Sequence, residues 1–293
     1  MPPRQPKPPW LKHRLPPAGR VRGLEELHRG LGLHTVCREA HCPNRGECFA
    51  AGTSTFLLLG PTCTRACRFC AVRQGAPSPP DPAEPARVAR AVAAMGLTYC
   101  VLTMVTRDDL PDHGAGQVAR TLAAVREACP ATGLEVLISD LGGRADCLAT
   151  VLAARPAVLN HNLETVPRLY ARARPGADYG RSLELLARAA QAPGGGIKSG
   201  LMLGLGERPD EVRQVLGDLL AAGCGLLTLG QYLAPSPEHL PVARHLPPAE
   251  FAAWREEALA LGFRAVASGP LVRSSYQAHA LWQAAATAGK KLV

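Results

Sequence analysis

Six of the ten cysteines in this 293-residue chain form two groups of three. The first group has the spacing C-x4-C-x5-C, and the second has C-x3-C-x2-C and follows a short apolar run. Three thiolates on one tight loop can hold three irons of a cubane [4Fe–4S] cluster and leave its fourth iron open, whereas ordinary electron-transfer clusters are closed by four cysteines. We call these groups the first triplet (Cys37, Cys42, Cys48) and the second triplet (Cys63, Cys67, Cys70).

An open iron can chelate an amino acid through its amino and carboxylate groups, which would position S-adenosylmethionine (SAM) for reductive cleavage to a 5′-deoxyadenosyl radical. The alternative is structural zinc, which takes four ligands, usually in paired C-x2-C units. A grouping of three and three suits zinc poorly, although His34 or His41 could complete one site. The second triplet is the stronger signal, because it falls between a predicted strand and a predicted helix.

The remaining composition constrains location and partners. No apolar run approaches the ~20 residues of a membrane helix, and the basic, proline-rich start lacks the apolar segment of a secretory signal. We therefore expect a cytoplasmic protein that does not bind membranes and whose thiols stay reduced. The net charge of +9 favours acidic partners, although compositional bias explains it equally well. No arginine-rich block or basic–aromatic alternation occurs, so we expect no nucleic-acid partner. Four isolated cysteines are predicted to be small buried side chains: Cys100, Cys129, Cys147 and Cys224.

Apolar runs alternate with helix-like stretches along most of the chain. This alternation predicts βαβ units, a parallel sheet and right-handed connections. Six strands followed by helices, plus a short seventh strand, are too few for a closed eight-fold barrel. We therefore predict an α/β fold with a partial (β/α)6 TIM-type barrel, and helices at Leu24–Leu33 and Arg87–Met95. The predicted strands are Thr55–Gly60, Tyr99–Val105, Leu134–Asp140, Ala157–Leu163, Ile197–Leu205, Leu226–Leu233 and Phe263–Ala267.

Polar residues follow several of these strands. In barrel folds, chemistry gathers at the carboxyl ends of the strands, so we predict a polar site at one mouth of the barrel. Strand periodicity points His161 away from its neighbours, which favours a core role for it over a catalytic one. The polar stretches are Thr106–Asp109, Ser139–Asp140, Asn160–Asn162, Gly204–Glu207 and Gln231–Tyr232.

With both triplets in view, the sequence resembles the lipoyl synthase family of radical SAM enzymes from about Pro8 to Ala278. The resemblance implies a barrel core at 53–270, an N-terminal extension at 1–52 with the first triplet, and a C-terminal extension at 271–293 with an RSSY motif. It is carried by VCREAHCPNRGECF, CTRACRFC, RDDLPDHGA, NHNLETVPRLY, RPGADYGRSL, KSGLMLGLGE, LTLGQYLAPSPEHLPV and GPLVRSSY.

The resemblance also implies roles for the cysteines. The second triplet would hold the SAM-binding [4Fe–4S] cluster, and the first an auxiliary [4Fe–4S] cluster. The fourth ligand of the auxiliary cluster would be Ser275 of RSSY, which would be released when that cluster gives up sulfur. Serine is a hard ligand on a soft-ligand cluster, so its displacement should be comparatively easy. Taken alone, the motif Arg273–Tyr276 is better explained as a polar helix start, but the other seven stretches favour the ligand role for Ser275.

The implied reaction inserts two sulfur atoms, at carbons 6 and 8 of a protein-bound octanoyl-lysine, and forms lipoyl-lysine. The implied partners are an octanoylated lipoyl carrier domain, of the E2 subunit or glycine cleavage H protein type, and an electron donor such as flavodoxin or ferredoxin. Thr106 and Ala71 depart from the family pattern. This leaves open a radical SAM enzyme for another substrate, while a non-catalytic metal-binding module is the alternative from another class.

Residues for SAM itself are expected at the barrel mouth. Asparagine side chains suit ribose or carboxylate oxygens, basic side chains suit the SAM carboxylate, and acidic ones suit ribose hydroxyls. For each, capping of a strand-to-helix turn is an equal alternative. An aromatic ring between two ligand cysteines would shield the cluster or touch adenine. The candidates are Phe69, Arg107, Asp109, Asn160, Asn162, Lys198 and Glu207.

Overall fold

Eight strands form one curved sheet, and they include all seven of the predicted apolar runs. A computed structural model describes residues 7–11, 18–50 and 53–287. Parts of the predicted extensions, at 1–6, 12–17, 51–52 and 288–293, lie outside the described residues. The strands are β1 (His34–Thr35), β2 (Thr55–Leu58), β3 (Thr62–Cys63), β4 (Arg73–Gln74), β5 (Tyr99–Met104), β6 (Gly133–Leu137), β7 (Val158–Asn160), β8 (Gly196–Leu203), β9 (Leu226–Gln231) and β10 (Ala265–Gly269).

The main sheet has the order β1-β2-β5-β6-β7-β8-β9-β10. Seven strands run parallel, and β1 pairs antiparallel with β2 at one edge. Strands β3 and β4 form a separate small sheet. In the described part of the chain, the edge strands β1 and β10 pair on one side only, so the barrel is partial, as predicted. The antiparallel edge strand was not foreseen, because two residues are too short to show a pattern.

Helices follow the parallel strands and cover the outer face of the sheet. The helical bounds are α1 (Ala18–Gly30), α2 (Val36–Glu39), α3 (Arg45–Ala50), α4 (Glu84–Met95), α5 (Ala115–Ala128), α6 (Ala145–Ala153), α7 (Tyr170–Ala173), α8 (Tyr179–Ala190), α9 (Pro209–Ala221), α10 (Pro248–Leu261) and α11 (Ala278–Thr287). Apolar side chains at helical spacing pack on the sheet, as in α5, where Val118, Leu122 and Val125 are fully buried. Among the described residues, no helix is long and apolar enough to cross a membrane.

Two predicted helices have different bounds in the structure. The first ends at Gly30 rather than at Leu33, because Gly32 adopts a left-handed conformation (φ +59°) that a helix cannot continue through. The helix predicted from Arg87 begins at Glu84, since Pro85 is accepted in the first turn. The seventh parallel strand is also followed by a helix, α11, which gives one unit more than the predicted six.

Three of the four isolated cysteines lie in the core, as predicted, and the fourth packs against it. Cys100, Cys147 and Cys224 are buried, and Cys129 is half-buried against the core cluster. Burial raises the pKa of Cys224 to about 12, so this thiol stays protonated at neutral pH. These residues act as small hydrophobic side chains.

His161 has the predicted core role. It is 1% exposed, its Nδ1 lies 2.9 Å from the Ile138 carbonyl oxygen and its Nε2 lies 3.0 Å from the Ser182 hydroxyl. Burial lowers the pKa of His161 to about 4, and the charge of Arg174 adds to this effect. The ring is therefore a neutral link between β6, the loop after β7, and α8.

We expect acid to weaken the fold through His161. In the unfolded chain its pKa is about 6.5. As the pH falls, the unfolded state therefore binds a proton first. The stability that neutral His161 contributes is present above about pH 6.5 and is lost as the pH falls towards about 4, by up to about 3 kcal/mol. In urea unfolding, His161→Gln should be less stable than wild type at pH 7 but should lose less stability between pH 7 and pH 4; parallel pH profiles would contradict this role.

Candidate functional site

The second triplet lies on the turn between β3 and β4, directly after β2. Cys63 ends β3, and Cys67 and Cys70 follow in the turn. Arg65, between the first two cysteines, donates to Asp108 at 2.7 and 2.8 Å and to Asp140 at 2.8 and 2.7 Å. The two carboxylates follow β5 and β6, so this bidentate arrangement fixes the turn at the carboxyl ends of two neighbouring strands.

Backbone hydrogen bonds hold the same turn from other sides. The Thr64 amide donates to the Thr106 carbonyl oxygen at 3.1 Å, and the Leu240 amide donates to the Arg68 carbonyl oxygen at 3.0 Å. Nε2 of His239 lies 3.1 Å from the Cys70 carbonyl oxygen. Protein contacts therefore hold the turn from several sides, which reduces the conformational entropy that cofactor binding must overcome.

The first triplet lies on the two short helices before β2. Cys37 is in α2, Cys48 is in α3, and Cys42 is between them. This segment is tied to the end of the chain at two points. Nδ2 of Asn44 donates to the Leu271 carbonyl oxygen at 2.6 Å, and the Tyr276 hydroxyl donates to Glu47 Oε1 at 2.8 Å. The RSSY segment (Arg273–Tyr276) therefore lies against the first triplet.

Ser275 lies between two residues whose pKa values are affected by the charges of thiols in the first triplet. The charge of Cys42 acts on the pKa of Arg273, and the charge of Cys48 acts on the pKa of Tyr276. Within the described residues, the Ser275 hydroxyl has no hydrogen-bond partner, and the residue lines the central cavity. RSSY is a turn before α11 rather than the start of a helix. The first triplet and Ser275 thus come together from opposite ends of the sequence.

The thiols of each triplet interact with one another. Burial raises the pKa of Cys37 to about 11 and that of Cys48 to about 12, and the negative charge of Cys42 raises both further. Burial likewise raises the pKa of Cys70 to about 12, with Cys67 and Cys63 adding to it. Clustered, buried thiols of this kind would be stabilised as thiolates by bound iron.

The arrangement of the thiols indicates whether they would hold a single metal ion or an iron–sulfur cluster. Among residues 7–11, 18–50 and 53–287, no group of three His, Cys, Asp or Glu side chains is arranged to hold a single metal ion. In a cubane cluster each cysteine binds a different iron, so its ligands stand farther apart than those of one ion. Two sets of three thiols, one of them beside a free serine hydroxyl, fit two [4Fe–4S] clusters.

A cavity of about 780 Å³ inside the barrel is lined by the whole first triplet and by Cys70 of the second. At one end it is lined by Phe69, Cys70 and the residues after β9; at the other by the whole first triplet, Ser275 and the start of β5. Apolar residues such as Val101, Leu137 and Leu201 line the middle. The first triplet therefore lies towards the amino ends of the strands, opposite the mouth at which the sequence predicted the site.

Several predicted SAM contacts have unpaired polar atoms, and one of these residues, Asn162, lines the cavity. Asn160 is fully buried, and neither its Nδ2 nor its Oδ1 has a hydrogen-bond partner in the described structure. Oδ1 of Asn162 is also unpaired there, and Asn162 and Phe69 line the cavity. Arg107 forms a bidentate pair with Asp109 at 2.8 Å, which lowers the pKa of Asp109, and its Nη1 stays unpaired. Unpaired buried polar atoms are costly and are what a polar ligand would satisfy.

Two other predicted contacts are occupied by protein partners. The ammonium of Lys198 donates to Glu135 at 2.7 Å and to the Ser274 carbonyl oxygen at 2.6 Å. The Glu207 carboxylate accepts from the amides of Gly204 and Leu205 at 2.6 and 2.9 Å. Contact of either residue with SAM remains a prediction. In the structure, Lys198 bonds to residues inside the barrel and Glu207 bonds to the loop after β8.

Sequence reasoning missed Glu164 and Arg174. Glu164 lines the cavity, accepts from Asn162 Nδ2 at 2.9 Å and has φ +67°, and burial raises its pKa. The buried Arg174 donates to the carbonyl oxygens of Asn162 and Leu163 at 3.0 and 2.9 Å, and its charge opposes the rise in the pKa of Cys67. Both residues lie in stretches that carry the family resemblance, but the sequence alone assigned a role to neither.

Gly230 of β9 makes room for the RSSY segment, and we expect its replacement to displace that segment. A Cβ at Gly230 would lie 2.2 Å from the Val272 carbonyl oxygen, so Gly230→Ala should lower the free energy of unfolding by about 1–3 kcal/mol. The matched control is Gly217→Ala, on the exposed face of α9, where an added Cβ has no neighbour within 4 Å. Anaerobic urea unfolding of the two variants compares them; equal stability would contradict the close approach.

Comparisons with known proteins define the class. Residues 57–219, more than half of the chain, match the Radical SAM superfamily. A crystal structure of Streptococcus suis SuiB bound to S-adenosylmethionine shares the fold, with a TM-score of 0.55 and 11% identity over 70% of this chain and 46% of that one. The protein is a radical SAM enzyme, whose cofactors are SAM and [4Fe–4S] clusters.

Closer relatives define the family. The chain is 57% identical to a lipoyl synthase of Acidithiobacillus ferrooxidans, over 94% of this chain and 87% of that protein. It is 56% identical to a lipoyl synthase of Trichlorobacter lovleyi, over 94% of this chain and 98% of that protein. The chain belongs to the lipoyl synthase family, and it is a sulfur-inserting enzyme.

Proposed function

We propose that this chain converts a protein-bound octanoyl-lysine to lipoyl-lysine by inserting sulfur at carbons 6 and 8, with a different task for each triplet. Cys63, Cys67 and Cys70 would hold the SAM-binding cluster. Cys37, Cys42 and Cys48, together with Ser275, would hold the auxiliary cluster that donates sulfur. The observation that carries the proposal is the cavity whose lining includes the whole first triplet, Ser275 and, from the second triplet, Cys70.

The cavity suits the acyl chain of such a substrate. Its volume of about 780 Å³ falls within the usual range of small-molecule pockets. Its middle is apolar, so an octanoyl tail gains from leaving water there. A chain held between the two ends lies between the source of the radical and the source of sulfur, which is the positioning that this reaction requires.

When bound, the SAM cluster supplies reductive cleavage of SAM to a 5′-deoxyadenosyl radical. The residues of this chain would bind and orient SAM and the octanoyl chain, and they would exclude water from the site. Unpaired atoms of Asn160, Asn162 and Arg107 are available to polar groups of SAM. Phe69 lies beside Cys70 on the cavity wall, where it would shield the cluster or contact adenine.

Ser275 would be the fourth ligand of the auxiliary cluster and would be released from its iron during sulfur transfer. Its hydroxyl is free of protein partners in the described structure, so no hydrogen bond has to break when iron binds or departs. The neighbouring Ser274 is bonded through both its hydroxyl and its carbonyl group. The two serines of the motif are thus distinct: one is an anchor and the other is available as a ligand.

A lipoyl carrier protein is the substrate that family membership implies. We propose a carrier of the E2 subunit or glycine cleavage H protein type, and flavodoxin or ferredoxin as the electron donor. We also propose a cytoplasmic location, because a store of clustered thiols requires reducing surroundings.

Replacing the triplets separately tests the division of tasks. Anaerobically reconstituted wild-type enzyme should contain about eight irons per chain, and either triple Cys→Ala variant about four. With SAM, a reductant and an octanoyl-lysine peptide, wild type should give 5′-deoxyadenosine and a product carrying two added sulfurs. Loss of the second triplet should abolish SAM cleavage; loss of the first should spare cleavage and abolish sulfur transfer. Cleavage without sulfur transfer by wild type would instead indicate another substrate.

Ser275→Ala should separate sulfur insertion from SAM cleavage. Removal of a ligand of the auxiliary cluster should slow sulfur insertion at least about tenfold while 5′-deoxyadenosine still forms. Ser268→Ala is the control, since Ser268 is a serine of β10 that donates to the Phe251 carbonyl oxygen. Equal loss of both activities in Ser275→Ala would refute the assigned role. Mass spectrometry of the peptide and chromatography of 5′-deoxyadenosine provide the two measurements.

A further inference from the structure

We infer that a buried ion pair between Lys198 and Glu135 positions Ser275, by holding the main chain of the residue before it. The Lys198 ammonium donates to Glu135 Oε1 at 2.7 Å and to the Ser274 carbonyl oxygen at 2.6 Å. The inference rests on the proposed role of Ser275, and it makes Lys198 and Glu135 positioning residues for the auxiliary site.

The pair is unusual for its place in the fold. In the eight strands of the described sheet, Glu135 of β6 and Lys198 of β8 are the only Asp, Glu, Lys or Arg residues. Their side chains are 1% and 0% exposed. A buried ion pair is weak evidence for stability, because apolar residues of similar size often stabilise a core as well or better. A purely structural role therefore explains these two charges poorly.

The pair belongs to a chain of hydrogen bonds across the barrel. Tyr99, at the start of β5, donates its hydroxyl to the second oxygen of Glu135 at 2.9 Å. Lys198 accepts nothing and can only donate, so it joins two acceptors: the Glu135 carboxylate and the Ser274 carbonyl oxygen. The order Tyr99, Glu135, Lys198, Ser274 thus connects three parallel strands to the RSSY segment.

A second contact fixes the same residue through its side chain. Nδ2 of Asn162 donates to the Ser274 hydroxyl at 2.5 Å. Ser274 is consequently held by main chain and side chain together, while the hydroxyl of Ser275 is left free in the described structure. With the peptide before it fixed, Ser275 has few directions in which to point, and this preorganisation lowers the cost of closing the auxiliary site.

Hydrogen exchange of the full-length apoprotein tests the anchor without any cofactor. The amides of Val272 and Tyr276 bond to the carbonyl oxygens of Gly269 and Arg273 at 3.1 and 2.9 Å, so local opening of the segment exposes them. In Lys198→Met/Glu135→Gln, which removes both charges, exchange of peptides covering 270–277 should rise at least about tenfold, as expected for loss of a charged hydrogen bond. Arg213→Met/Glu257→Gln, which removes an ion pair between α9 and α10 on the outer surface, should leave this exchange unchanged.

A milder variant covers the case in which the double variant does not fold. Tyr99→Phe removes only the hydroxyl bonded to Glu135 and should raise exchange in 270–277 by a smaller factor. Its control is Tyr179→Phe, which removes a similar hydroxyl–carboxylate bond to Asp218 on the outside of the barrel. If a folded double variant shows wild-type exchange in 270–277, the inference is overturned; if the double variant does not fold, wild-type exchange in Tyr99→Phe overturns it.

The loaded enzyme separates failure of this inference from failure of the proposed function. In a background without the second triplet, electron paramagnetic resonance of the reduced auxiliary cluster should change in the same direction for Lys198→Met/Glu135→Gln as for Ser275→Ala. With both triplets intact, Lys198→Met/Glu135→Gln should lower sulfur insertion more than SAM cleavage. An unchanged spectrum in Ser275→Ala would refute Ser275 as a ligand, whatever hydrogen exchange shows. A changed spectrum in Ser275→Ala alone would keep the proposed function and remove the anchor.

Discussion

The parallel direction of the strands is the constraint on which this molecule depends. All seven parallel strands present their carboxyl ends at one mouth of the barrel and their amino ends at the other. The second triplet is fixed at the first mouth by Arg65. The first triplet reaches the other because α2 and α3 precede β2 in the chain. The length of the strands therefore sets the separation between the two groups of thiols, and the apolar lining keeps the space between them suited to a hydrocarbon.

The charges that act on the thiols differ between the two triplets. Around the second triplet, Arg65 and Arg174 lower the cost of thiolate charge at Cys67 against a strong effect of burial. Around Cys37 and Cys48, burial and neighbouring thiol charges act together to raise the pKa values. The same two effects raise the pKa of Cys70 in the second triplet, so the feature that distinguishes the second triplet is the pair of arginine charges acting on Cys67.

The sequence was informative wherever a signal is local. Apolar runs predicted the seven parallel strands, because burial on both faces leaves little else in them, and cysteine spacing predicted the two triplets. What it could not show is long-range pairing. The bond between Asn44 and Leu271 joins residues 227 positions apart, and no local pattern marks either one. Lys198 illustrates the limit: its place in the sequence predicted a contact with the SAM carboxylate, but only the fold reveals Glu135 and Ser274 as its partners.

The ties between the two ends of the chain have a consequence for how the molecule opens. Contacts such as Asn44–Leu271 and Glu47–Tyr276 close a loop that contains the whole barrel, and loop closure over so many residues costs entropy without adding apolar burial. Regions held by few buried contacts open at lower free energy than core strands. The end of the barrel that carries the first triplet is therefore expected to open at lower free energy than the core strands. If the first triplet holds the cluster proposed above, such local opening would expose its thiols to solvent while the strands of the barrel stay paired.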